Sequence, residues 1–148
     1  MKRVGLVFLG LVASAIAGWL LTPVYVMVFP DIEGCHAPPL SALLILVPIA
    51  FLIGSIVTGY FSYHELEDKW GLIWMAPALY YNLLFVCVTG TLFLLDSFIG
   101  VNEPRNTDFL FEILIPFLIG LYWYLASLAG VILGYLLRER FARWWYGD

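Results

Sequence analysis

Asp31, Glu33, Cys35 and His36 place four possible metal ligands within six residues. Carboxylate, thiolate and imidazole together suit a soft or borderline divalent ion. Their spacing matches no zinc or copper motif, so the stretch is expected to be a polar connection, with Cys35 a free thiol or a disulfide to a partner chain. Cys87 is placed about eight residues, roughly 12 Å at helical rise, beneath the surface at which Cys35 is expected.

A second candidate constellation is Asn82, Asp96 and Glu112. Glu112 is the one ionisable residue inside an otherwise uncharged run, and acids in such runs bind or relay cations. The competing reading is a helix-start acid, because Thr107 or Asp108 would cap the helix and its dipole favours a carboxylate in the first turn. Together with Asp96, Glu103 and Asp108, Glu112 forms an acidic rim able to attract cations or a basic partner. Asn82 wants up to four hydrogen bonds in apolar surroundings. It is expected to act as glue between helices or to contact a ligand or ion.

Other chemistry finds no support. His64-Glu65 starts like a zincin, but no second His follows at the required spacing. There is no Cys-x-x-Cys, Gly-x-Ser-x-Gly or phosphate loop. No cofactor and no nucleic-acid partner are expected, and the balance leans away from an enzyme.

The elements that must position these residues follow from composition. The 148 residues are 63% hydrophobic and 12% charged, with net charge −4 and mean hydropathy +0.94. Soluble chains carry about 25% charged residues. Four long runs appear, at Val4–Phe29, Leu40–Ser62, Trp70–Leu95 and Phe109–Leu137. Each exceeds the roughly 18 apolar residues that read as a membrane span. The expectation is an all-α integral membrane protein with four transmembrane helices in an antiparallel bundle, forming a single domain. Residues 1–17 resemble a secretory signal with a cleavage site, but the apolar run continues to Phe29, so it is read as a retained first span. Pro23, Pro48, Pro77 and Pro116 fall inside the runs, where each would free the carbonyl four residues back.

Lys2, Arg3, Lys69, Arg138, Arg140 and Arg143 lie on one side of this topology and Arg105 alone on the other. The positive-inside rule then puts both termini in the cytoplasm of a cell (plasma) membrane. Trp70, Trp74, Trp144, Trp145 and Tyr146 would form an aromatic belt at that face. The tail from Arg138 continues the fourth span, and Arg140, Arg143, Trp144 and Trp145 suit an interfacial segment on anionic lipid. Asp68 is expected to cap the third span.

Small residues at four-residue spacing let helices approach closely where lipid offers no hydrophobic drive. They are Gly10, Ser14 and Gly18 in the first span, Ala50 and Gly54 or Ser55 and Gly59 in the second, and Ala126, Gly130 and Gly134 in the fourth. They serve packing within the bundle, or the fourth stripe docks another chain. Ser55–Tyr60 also echoes Gly130–Tyr135, as a duplicated two-helix hairpin would. The leading functional expectation is a small accessory or structural subunit of a larger membrane assembly, with the lipid bilayer and other membrane subunits or a second copy as partners. The alternative is a small oligomeric transporter or channel for a cation or small solute, using Asp96, Glu112 and Asn82.

Overall fold

A chain this poor in charge must satisfy its backbone groups internally, and helices do so within one segment. The computed structural model describes residues 2–29, 41–65, 69–99 and 109–146, with side chains over 2–29, 41–65, 69–91 and 114–145. Among these residues all regular structure is helical. Helix α1 is Lys2–Val28, a π-helical turn at Ala42–Leu46 leads into α2 at Val47–Ser62, α3 is the short Gly71–Trp74, α4 is Pro77–Ile99 and α5 is Phe109–Tyr146. Three stretches, Lys2–Val28, Ala42–Ser62 and Leu114–Trp145, are long and apolar enough to cross a membrane.

One boundary differs from expectation. The third run is not one helix, because the chain leaves the helix at Met75 and Ala76 and restarts on Pro77. Proline fits the first turn of a helix, where its missing N–H would be unpaired anyway, so Pro77 begins α4 rather than kinking it. The last of these helices, α5, runs past Leu137 to Tyr146, so the tail continues the helix in the way its sequence suggests. Its added turns consist largely of good helix formers and carry an i,i+4 pair from Arg143 to Glu139 at 2.6 Å.

Pro48 has a local consequence that spacing alone misplaces. In the π turn, Val47 N–H reaches the Ala42 carbonyl, and the next donor in that pattern would be Pro48, which has none. The Leu43 carbonyl is therefore left over. Trp123 of α5 fills it, donating its indole N–H at 2.8 Å.

Helix α2 is the centre of the fold, with eight buried positions along 16 residues. Against α1 it runs antiparallel. Gly54 lies on the Gly10 carbonyl and Ser14 backbone, Ala50 meets Gly18, and Thr58 meets Gly10 while donating to the Leu6 carbonyl at 3.2 Å. Against α5 it runs parallel, from the Leu43 to Trp123 contact at one end to Tyr60 and Arg138 at the other.

The α2–α5 contact is reciprocal between positions 75 residues apart, the offset of the sequence echo. Gly59 abuts the Val131 backbone, and Gly134 abuts the Ile56 backbone. Gly130 lies on the Leu52 carbonyl, and Ser55 pairs with Ser127. Tyr63 packs on Tyr135, and Tyr60 on Arg138. Each of these three exchanges maps onto itself when the two helices are swapped, so a local two-fold axis runs along the pair.

Helix α4 is held at its start and exposed along its next described turns. Pro77 and Ala78 are buried, whereas every side chain from Leu83 to Thr91 is exposed, and a Cβ on Gly90 would meet nothing within 4 Å.

Candidate functional site

Where α4 begins, its first N–H groups need acceptors, and Ala76 at the capping position has no side chain to offer. Ser127 of α5 supplies one. Its Oγ accepts from Ala78 N–H at 3.2 Å and shares a 2.6 Å hydrogen bond with Ser55 Oγ of α2. Both serines are fully buried. One hydroxyl pair therefore ties three helices at a point. Among the described residues, no buried side-chain nitrogen or oxygen lacks a hydrogen-bond partner.

Asn82 sits on the second turn of α4 rather than midway along a longer helix. Its Nδ2 donates to the Gly120 carbonyl at 2.7 Å, and Gly120 is close enough that a Cβ there would touch the Asn82 amide. This clasp contributes about 0.6–2 kcal/mol by the scale of interhelical hydrogen bonds. Asp96 lies near the end of α4 and Glu112 in the first turn of α5. Their side chains lie outside the described set, as do the Asp31, Glu33, Cys35 and His36 loop, Asp68 and the Thr107–Asp108 cap. Cys87 is an exposed thiol on α4.

The stripe residues face neighbours within the chain. Gly10, Ser14, Gly54, Gly59, Gly130 and Gly134 each sit against another helix, and Gly18 makes an ordinary contact with Ala50. Ala126 lines a shallow apolar groove with Pro48 and Tyr122. Thr89 and Thr91, on the open part of α4, turn their hydroxyls back to the Phe85 and Cys87 carbonyls at 2.7 Å each. That is how a hydroxyl is satisfied without a neighbour.

The described basic residues gather at one end of the bundle. Lys2 reaches Glu65 at 3.3 Å, Lys69 stands beside α3, and Arg138 Nη1 donates to Tyr60 Oη at 2.9 Å. Trp70, Trp74, Trp144 and Trp145 are 74%, 66%, 77% and 67% exposed, and Arg140 and Arg143 are exposed beside them. Arg138 also lies 5.0 Å from the Tyr60 ring centroid and 6.0 Å from that of Phe141. With Phe141, Ala142 and Trp145 it bounds a cleft of about 220 Å³. These four occupy one face of α5 at i, i+3, i+4 and i+7.

Sequence reasoning placed Arg138 at the start of the interfacial tail but not against Tyr60, and it missed the Ser127 node and the Trp123 bond. A signal existed for Trp123, since a proline-freed carbonyl requires a donor from elsewhere. None existed for Ser127, whose partners lie 49 and 72 residues away. No protein-family model matches the chain, and no curated protein and no solved structure matches it.

Proposed function

We propose that this chain is a four-span integral membrane protein that acts as an accessory or structural subunit of a larger membrane assembly. In this reading α4 is the remaining span and both termini are cytoplasmic. The observation that carries it is the open half of α4. Helix α2 is clamped on two sides by backbone contact, yet every side chain of the largely apolar stretch Leu83–Thr91 is exposed, and a Cβ at Gly90 would meet nothing within 4 Å among the described residues. Helices in lipid associate by packing, so an exposed apolar stretch of this length offers a surface to a partner. The Asn82 amide, bonded to Gly120, supports a packing role over an ion path.

The test is a photocrosslinker at Val86 or Gly90 in native membranes. A discrete adduct with a different polypeptide is expected. Crosslinks to lipid alone would remove the subunit reading, and crosslinks to a second copy would favour the oligomeric transporter.

Orientation has its own measurement. In a Cys87→Ser background, a membrane-impermeant maleimide should label Cys35 in intact cells and a cysteine appended after Asp148 only after permeabilisation. The opposite pattern would invert the topology.

A further inference from the structure

We propose that the cleft beside Arg138 binds the phosphate of an anionic phospholipid headgroup. The site goes beyond the subunit reading and rests on it only for the presence of a bilayer. Arg138 is half-buried where the apolar part of α5 ends after Leu136 and Leu137. A guanidinium carries five N–H donors in a planar fork suited to phosphate, and Tyr60 Oη engages only Nη1. Among the described residues no carboxylate lies within 4 Å of it. The adjacent Glu139 is instead bound to Arg143 at 2.6 Å. The Tyr60 and Phe141 rings hold the fork in place, at 5.0 and 6.0 Å from their centroids.

The rest of the cleft is apolar and aromatic. Phe141 and Trp145 are stacked, with centroids 6.1 Å apart and planes 16° from parallel, and Ala142 leaves the space between them and Arg138 open. Aromatic rings sit at the depth of headgroup and glycerol, and a fixed cation at that depth meets phosphate. A phosphate on the guanidinium with its glycerol along Phe141 and Trp145 fills such a cleft. Arg140 and Arg143 add general attraction around it without bounding it.

The experiment is native mass spectrometry of detergent-purified protein titrated with phosphatidylglycerol, phosphatidylcholine or inorganic phosphate. A protein that stayed soluble without detergent would refute the membrane reading itself, before the site is tested. For the folded, detergent-bound protein, Arg138→Gln is expected to weaken phosphatidylglycerol binding at least ten-fold, the scale of a charge-assisted hydrogen bond. Arg140→Gln should cost no more than about five-fold, the scale of one surface charge near anionic lipid. Equal losses in the two variants would reduce the site to diffuse attraction and overturn the proposal. Equal binding of phosphatidylcholine, or displacement of lipid by inorganic phosphate at similar concentration, would overturn the anionic lipid assignment. Because Arg138→Gln also strips Tyr60 of its donor, Trp145→Ala serves as a second variant whose fold is secure, Trp145 being 67% exposed. It should weaken phosphatidylglycerol at least three-fold, and unchanged binding there would remove the cleft.

Discussion

Gly59→Leu is expected to eliminate the folded, monodisperse particle in detergent, whereas Gly90→Leu should leave it unchanged. A Cβ at Gly59 would strike the Val131 carbonyl carbon, oxygen and Cα, all of them backbone. Backbone cannot rotate aside as a side chain can, so the helices must separate. Overfilling a packed interior costs about 1–3 kcal/mol for a modest excess. Leucine adds four carbons where a glycine meets another helix's backbone most tightly among the described glycines, so the loss should exceed that range and remove a large part of a stability of roughly 5–15 kcal/mol. The local two-fold makes Gly134→Leu an equivalent lesion, on the Ile56 backbone. Size exclusion and thermal melting check the pair. If Gly59→Leu and Gly90→Leu melt together, backbone contact is not what holds α2 to α5.

The second large effect concerns Ser127, and here an order of severity is the result to look for. Ser127→Ala strips the buried Ala78 N–H of its acceptor and Ser55 of its partner. Ser55 can turn its hydroxyl to a carbonyl of its own helix, but the Ala78 N–H has no such recourse. Leaving it unpaired costs about 1–3 kcal/mol. Ser55→Ala keeps the Ser127 bond to Ala78, so it should cost about 0.5–1 kcal/mol, an ordinary hydrogen bond. Denaturant unfolding in mixed micelles would measure both. A larger loss for Ser55→Ala would mean that the start of α4 does not depend on its acceptor from α5.

Uncharged length made α1, α2 and α5 readable, because a long apolar run has few alternatives to a helix. The break before Pro77 was not readable. A proline fits either a helix start or a kinked interior, and here the choice rests on Ser127, which the local sequence does not contain. Leu43 shows a milder case, since Pro48 implied a freed carbonyl but the π turn moved it from four residues back to five. The candidate site divides likewise. Gly54, Gly59, Gly130 and Gly134 were legible as small-residue stripes, whereas their partners were not, because spacing along one helix says nothing about which helix faces it. Arg138 was visible as charge and invisible as geometry, since its setting is built by Tyr60, 78 residues earlier.

The parallel pairing of α2 with α5 also has a schedule. Ser55 and Ser127 are 72 residues apart. At roughly 5–20 residues per second of synthesis, the second serine emerges about 4–14 seconds after the first. Helix α1 already exists to cover Gly54 and Thr58, but the opposite side of α2 must wait. During that interval the Gly59 notch stands open, shaped to accept the backbone of any helix carrying a small residue at the right height. Helix α5 is thus the one that shuts this side of α2, and until it arrives the nascent protein is exposed to capture by a neighbouring chain or a second copy of itself.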